Sequence, residues 1–560
     1  MNALAICFLA SLWALTCFSV SAKMVIGYFP NWLYEQYPLE NIPFDRYTHI
    51  NYAFAILNNE DYLPSFTDDW AVENYLPKLV SLAHRQKTKV MLSVGGWTGS
   101  KKFSPMVATA ESRKRFIDWN LEFIDRYKTD GVDIDWEYPG RQAAGCNDYS
   151  EADADNLLLL LKELREALDS KFNEHKVISM AVHVLPFVRR EGEPMTDMSS
   201  FVPYFDFVNI MSYDINGAWA NVTGPNAPFR YQLDAGVPFS YVDSIKAWQS
   251  AGVPSSKINA GLPFYGRSMT TKEDMVDDSQ YQTSVIGAPK GDSDDAYWAD
   301  PYCPQDIAGV SGIWKWKNLR SEGLVKDDWV TTDEKWDHHW DNVSQTPWLY
   351  NKDSNTFISY DDPFSIGIKV KHALCEDLAG VMVWDIHQDN GELIDAVSRI
   401  HGPRPADCSV TETNPTNTGI TIHSAASVTT AWASVSGIMQ ASQMNQAATA
   451  SMSSPIPTLL PASRPSSNPP HKPTQTCQIK KKIKPGSKCR TAGQEKCVES
   501  GQSNEWVTCD NGHWIARNCP DKLVCFDGPG YLYCGYPKEN SSSNSCTQTS
   551  STSHSSHYWK

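Results

Sequence analysis

The chain has 560 residues, a formal net charge of -16, 41% hydrophobic residues and 20 Trp. That length predicts more than one folded unit, with apolar residues enough for a large core. The acidic balance excludes a nucleic-acid partner, because phosphate binding needs clustered Lys and Arg.

The N-terminus, MNALAICFLASLWALTCFSVSA, is an apolar run closing on Val20-Ser21-Ala22, a small-x-small cleavage pattern. It reads as a signal peptide over residues 1–22, too short for a membrane-spanning helix. No later segment is long and apolar enough to span a bilayer. A secreted, extracellular, monomeric protein follows, free or held at a cell wall, with no membrane partner. Cys7 and Cys17 leave with the signal, and four scattered cysteines remain before a dense group of eight between Cys477 and Cys546. Such density in an oxidising compartment marks a disulfide scaffold. Asn221, Asn342 and Asn540 head glycosylation sequons.

From Lys23 to about Gly402, β-branched or aromatic runs alternate with helical patterns. The predicted strands are MVIGYF (24–29), HINYAF (49–54), KVMLSVGG (89–96), GVDIDW (131–136), VISMAV (177–182), FVNIMSY (207–213), KINAGLPF (257–264) and GVMVWDI (380–386). Between them lie helical segments such as SRKRFIDWNLEFIDRYK and ADNLLLLLKELREALDSKF. Eight strand–helix repeats predict an α/β fold, a closed (β/α)8 TIM barrel over residues 23–402. The gap between the seventh and eighth strands exceeds one helix, so residues from about 270 to 357 are expected to form a small α+β insertion domain. Residues 403–476 are rich in Ser, Thr, Pro and Ala and read as a flexible linker. Residues 477–537 form a cysteine-rich module, and the Ser-rich tail, 538–560, reads as disordered.

The fourth strand opens DGVDIDWE. In a strand, alternate side chains take opposite faces. Val132, Ile134 and Trp136 therefore share one face, and Asp133, Asp135 and Glu137 the other. In a barrel the apolar face packs under the helices and the carboxyls point inward, with Glu137 at the C-terminal mouth where barrel enzymes keep their sites. A solvated half-polar strand is one alternative, but the neighbouring strands read as apolar on both faces, as in a buried parallel sheet. A Ca²⁺ or Mg²⁺ site is another, although such clusters usually sit on loops with a turn glycine. Acid–base chemistry is the third: like charges this close cannot all ionise, so at least one carboxyl keeps its proton. Asp135 and Glu137 emerge from the same side with Cα atoms roughly 6.6–6.8 Å apart. That arrangement suits Asp135 poorly as a nucleophile attacking opposite the leaving group. The nucleophile is then expected to come from the substrate.

DGVDIDWE resembles the D-x-x-D-x-D-x-E signature of glycoside hydrolase family 18, the chitinase family, and SVGGW (93–97) resembles its S-x-G-G strand. The likeness runs on through GYFPNW, NYAF, MSYD, GLPFYGR and VMVWD in order, over essentially the whole barrel region. It implies that Glu137 is general acid and then base, that Asp135 orients the substrate's 2-acetamido group, and that Asp133 holds Asp135 and shares its proton. Tyr213 would hydrogen-bond the acetamido carbonyl beside Met211 and Asp214. Trp384 would floor the distorted sugar, Tyr28 and Phe54 would line the pocket base, and Arg267 would contact sugar further along. Trp32, Trp97 and Trp219 follow the first, third and sixth strands, where exposed rings suit the flat C–H faces of sugars. The resemblance implies hydrolysis of β-1,4-linked N-acetylglucosamine polymers with retention, through an oxazolinium intermediate and without cofactor or metal. The insertion resembles the domain that deepens the cleft in such enzymes, which favours action near chain ends.

The segment from Cys489 to Pro537 resembles fungal chitin-binding modules of carbohydrate-binding family 19, with Trp506, Trp514 and Tyr531 as stacking candidates or as filling for a tiny core. Six of its cysteines allow fifteen pairings, so connectivity stays open. Two rivals stand beside a chitinase. A chitin-binding lectin on the same barrel commonly lacks the terminal acid, which is present here. An endo-N-acetylglucosaminidase acting on glycoproteins can carry the same acidic motif.

Overall fold

The computed structural model describes residues 22–408, apart from 145, 189–191, 276–278 and 304–307. In the C-terminal region it describes 484, 487–488, 495–498, 503–510, 513–519, 524–527 and 532–535. The expected signal peptide, most of the linker, the tail, Asn540 and Tyr531 lie outside the described residues.

Eight parallel strands form the barrel: β1 Met24–Pro30, β2 His49–Leu57, β3 Lys89–Gly95, β4 Gly131–Asp135, β5 Val177–Val182, β6 Phe207–Ile210, β7 Ile258–Pro263 and β8 Gly380–Trp384. Each pairs with the next, and β1 pairs with both β2 and β8, which closes the ring. All eight strands expected from the sequence are present. Closure follows from patterning, because helices with apolar stripes return over the barrel between most strands, while among the described residues only short 3-10 turns join β1 to β2 and β5 to β6. Helix α1, Ala110–Tyr127, begins at Thr109, whose hydroxyl accepts from the Ser112 amide, and ends at Lys128 in the left-handed region. Helix α2, Asp153–Lys171, buries Leu157, Leu160, Leu161, Leu164 and Leu168 at helical spacing. Each such leucine contributes about 1.5–3 kcal/mol of burial. Arg113 of α1 grips Glu163 of α2 with Nε and Nη2 at 2.9 and 2.8 Å.

The outward faces of the strands and the helices share one large core that includes Val132, Ile134 and Trp136. The barrel interior departs from the sequence expectation of strands apolar on both faces. Asn51, Ser93, Ser179, Asn209 and Asn259 are buried polar residues of β2, β3, β5, β6 and β7. The expectation failed because short polar residues inside apolar runs leave the overall strand pattern unchanged. Their purpose becomes visible only around the ring, where Ser93 and Ser179 both donate to Asp133.

Between β7 and β8 the chain builds an antiparallel sheet from Tyr265–Thr271, Ser284–Val285, Asp337–Asp341, Thr346–Asn351 and Thr356–Ser359. Ile313–Lys315 pairs onto its first strand, followed by the short helix Trp316–Ser321. The sheet therefore starts directly beyond β7. Cys146 is bonded to Cys303, and Cys375 to Cys408. Asn221 and Asn342 are exposed. No helix among the described residues is long and apolar enough to cross a membrane.

The chain divides into two compact units, and the second holds the C-terminal region. There Glu495–Cys497, Glu505–Asp510 and His513–Asn518 form an antiparallel sheet, and Val524–Asp527 pairs with Leu532–Gly535. Cys497 is bonded to Cys525. Trp514 is buried against Val498, Val507 and Cys509, which gives it the core-filling role of the two considered for it. Trp506 is half-buried beside the cysteines.

Candidate active site

The acidic strand sits where its spacing requires. Asp133 pairs in register with Ser93 on β3 and Ser179 on β5, so the three side chains share one interior level. Ser93 donates to Oδ2 of Asp133 at 2.7 Å and Ser179 to Oδ1 at 2.6 Å. Tyr28 donates from β1 to the same Oδ2 at 2.8 Å. Burial raises the Asp133 pKa, and these donors act against that rise. Tyr28 is itself fully buried, with its ring 5.7 Å from that of Trp384.

Asp135 is the next inward carboxyl, and its Oδ1 makes no hydrogen bond among the described residues. Burial, then the charges of Glu137 and Asp133, push its pKa well above the carboxylate range. Glu137 is 9% exposed at the mouth. Burial lifts it to about 7, with Asp214 adding to the rise and a hydrogen bond to Tyr138 opposing it. A carboxyl held this way carries a proton near neutrality, as a general acid must.

The Glu137 backbone is clamped on both sides. Its amide donates to Ser100 Oγ at 2.8 Å, and its carbonyl accepts from Asn147 Nδ2 at 2.9 Å. The glycine pair of SVGGW makes room for this. A Cβ on Gly95 would stand 2.0 Å from the Asp135 carbonyl, and one on Gly96 would stand 2.7 Å from the Phe54 ring, with both at positive φ. Sequence reasoning did not find Ser100, Asn147 or Ser179, because single polar residues in loops and apolar strands carry no periodic signal.

Tyr213 is half-buried, and its hydroxyl donates to Met382 Sδ at 3.7 Å. Burial, then Asp135, Asp214 and Glu137, raise its pKa, so it remains a neutral donor. Arg267 forms a two-point pair with Asp214, Nε–Oδ1 2.6 Å and Nη2–Oδ2 2.7 Å. Tyr265 donates to the same Oδ1 at 2.6 Å. Burial pulls the Arg267 pKa down, but Asp214 outweighs it and the guanidinium stays charged. Its carbon lies 5.0 Å from the Trp219 ring centre.

Trp384, ending β8, stacks on Phe54 with centroids 5.6 Å apart, and Phe54 faces Trp32 at 6.3 Å. Met211 is partly buried in the same interior cluster as Phe54, Tyr213 and Trp384. Trp32, Trp97 and Trp219 are 51%, 48% and 40% exposed. Asp133 and Tyr28 thus lie in the barrel interior, and exposed rings stand beyond β1, β3 and β6. Non-proline cis peptides occur at Ala53-Phe54, Glu137-Tyr138 and Trp384-Asp385. No group of three or more His, Cys, Asp or Glu among the described residues is arranged to hold a metal ion.

Fold and site together define a (β/α)8 barrel with its acidic groups at the C-terminal ends of the strands. The chain belongs to glycosyl hydrolases family 18, whose description matches residues 24–389. A chitinase-like effector of Moniliophthora roreri is 33% identical over 68% of this chain and 93% of that protein. Chitinase A1 of Niallia circulans is 27% identical over 74% of this chain and 64% of that protein. The crystal structure of a chitinase from Rhizomucor miehei superposes with TM-score 0.61 at 33% identity, covering 68% of this chain and all of that one. A chitinase of Ostrinia furnacalis in complex with allosamidin gives TM-score 0.55 at 27% identity over 68% of this chain and 98% of that one.

Proposed function

We propose that the protein is a secreted chitinase that cleaves β-1,4-linked N-acetylglucosamine polymers with retention. The observation that carries this reading is the placement of Glu137 at the barrel mouth beside a second inward carboxyl, Asp135, where burial raises the pKa of both. Glu137 gives its proton to the glycosidic oxygen as the C1–O bond breaks. The acetamido carbonyl oxygen of the same sugar forms the new bond to C1, giving an oxazolinium ion. Asp135, with a buried oxygen free to accept, takes the acetamido N–H and steadies the developing charge. Asp133 fixes Asp135 from below through the Tyr28, Ser93 and Ser179 network. Tyr213 donates to the attacking carbonyl, and Met211, Phe54 and Trp384 shape the floor. Water then adds at C1 from the side the leaving group vacated, its proton returns to Glu137, and configuration is retained. No second protein carboxylate flanks the bond in this scheme, in keeping with the substrate-assisted exception to paired-carboxylate hydrolysis.

Residues 23–402 form the catalytic unit in this reading, 403–476 a tether and 477–537 a chitin-binding module that raises local concentration on an insoluble polymer. The similarity of the chain to chitinases supports the substrate class. A second reading, chitin binding without turnover, is favoured by the name of the Moniliophthora relative, a chitinase-like effector. Glu137→Gln separates the two. It should lower turnover of a chitooligosaccharide by about 10²–10⁴-fold or more while binding persists. Unchanged turnover in the variant would remove Glu137 as the acid, and no turnover by the native chain would favour the second reading.

A further inference from the structure

The loop between β4 and α2 folds back on itself and is tied to the loop after β3. Asp153, at the start of α2, accepts from the Gly140 and Ser150 amides at 3.1 and 2.8 Å and from Ser104 Oγ at 2.7 Å. The Asp148 amide donates to the Lys101 carbonyl at 3.1 Å, and Lys102 pairs with the Asp148 carboxylate. Cys146 is bonded to Cys303. Asn147 therefore stands between two fixed neighbours, a disulfide on one side and a backbone hydrogen bond on the other.

Asn147 is buried, and its side chain meets two main-chain carbonyls. Nδ2 donates to the Glu137 carbonyl at 2.9 Å and to the Trp97 carbonyl at 3.3 Å. A carbonyl oxygen only accepts, so the two hydrogens of Nδ2 are what can serve both. The partners thus fix which way the amide points. Its Oδ1 is left buried with no hydrogen bond among the described residues.

The two carbonyls belong to residues with different parts in the site. Glu137 holds the proton at the end of β4, and Trp97 carries an exposed ring beyond β3. One side chain therefore sets the spacing between them. The Ser100 hydroxyl holds the Glu137 amide at 2.8 Å, on one side of its Cα, and Asn147 holds the carbonyl on the other. With both fixed, the Cα–Cβ bond of Glu137 has one direction. The carboxyl lies three bonds out, so a small turn of the main chain becomes a larger shift at the acid. A misplacement of about 1 Å at a reacting group can cost on the order of 10²-fold in rate.

We infer that Asn147, held in place by the Cys146–Cys303 disulfide, is a positioning residue for Glu137, and that proton transfer slows when either is removed although substrate still binds. This rests on the chitinase reading of the same site. It goes beyond that reading by making the rate depend on a residue and a disulfide outside the acidic strand.

The test is Asn147→Leu in the full-length protein, because leucine has nearly the same size and no donor. On a soluble chitin hexamer, kcat is expected to fall about 10- to 100-fold while KM changes by less than about threefold. Intact sites are counted by titrating Glu137→Gln, with and without Asn147→Leu, with the same hexamer. Equal stoichiometry shows that the missing rate is not missing folded protein. A kcat within about twofold of native overturns the inference and leaves the chitinase reading standing. So does a fall in kcat matched by an equal fractional loss of binding sites, which is what a merely structural role gives. If Asn147→Leu does not fold, Cys146→Ser with Cys303→Ser decides, since it frees the residue before Asn147 and keeps the amide. Lower kcat at full stoichiometry there supports the inference, and unchanged kcat overturns it. A native chain that leaves the hexamer uncut would overturn the chitinase reading, and this inference with it.

Discussion

A carboxyl that donates a proton near neutrality must hold it against solvent, and at Glu137 burial is the first reason it does. The consequence for rate has a definite sign. The protonated form acts, so kcat should fall as pH rises through about 7. The same shift bears on stability. Between the ordinary value of 4.5 and about 7 the folded state keeps a proton that the unfolded chain has lost. Stability contributed by this group is therefore present at low pH and lost as pH rises through that window. Glu137→Gln, which cannot ionise, should be more stable than the native chain at pH 8 by up to about 3 kcal/mol, with the gap closing near pH 4. Denaturant unfolding at the two pH values measures it, and a gap of the same size at both would contradict the burial account. At this scale the sequence was informative wherever residues recur with a period. The spacing of two placed Asp133, Asp135 and Glu137 on one face. Ser100 and Asn147, which clamp the Glu137 backbone, were invisible because they approach from separate loops. Tyr28 and Arg267 were identified, but their immediate partners, Asp133 and Asp214, needed the fold.

The fourth strand works as an element because its two faces do different jobs. Trp136 stacks on Phe103 at 5.2 Å in the outer core, directly before Glu137. Trp136→Ala should cost about 3–5 kcal/mol, read as a lower denaturant midpoint. A loss below about 1 kcal/mol would mean that the outer face does not anchor the strand. The pair Arg267–Asp214 joins the insertion's first strand to the loop after β6. Arg267→Ala should leave Asp214 without its cation and Trp219 without the guanidinium packed near its ring. In chitooligosaccharide turnover, KM should rise more than kcat falls. A fall in kcat alone would place Arg267 in the chemical step. All eight barrel strands were legible, since apolar runs of strand length punctuated by helices leave few other folds. The polar interior was not, because Asn51, Asn209 and Asn259 each sit singly within apolar runs and only the closed ring brings them together.

Across the whole molecule, an acidic barrel unit is followed in sequence by a Ser/Thr/Pro-rich stretch and a small disulfide-bonded unit. Removing residues after 408 should reduce activity on crystalline chitin more than on soluble oligomers; equal losses on both would count against a targeting module. Composition suggests the order of this arrangement, whereas cysteine pairing was beyond it, since Cys146 and Cys303 lie 157 residues apart in sequence and only the fold brings them together. The central claim is that the attacking oxygen belongs to the sugar and that Glu137 supplies and then recovers the proton. The most direct measurement is the anomeric form of the products first released from a chitin hexamer, followed by NMR. The account predicts cleavage with the β-anomer appearing first and mutarotating later. Initial release of the α-anomer, or a hexamer left intact, would contradict it.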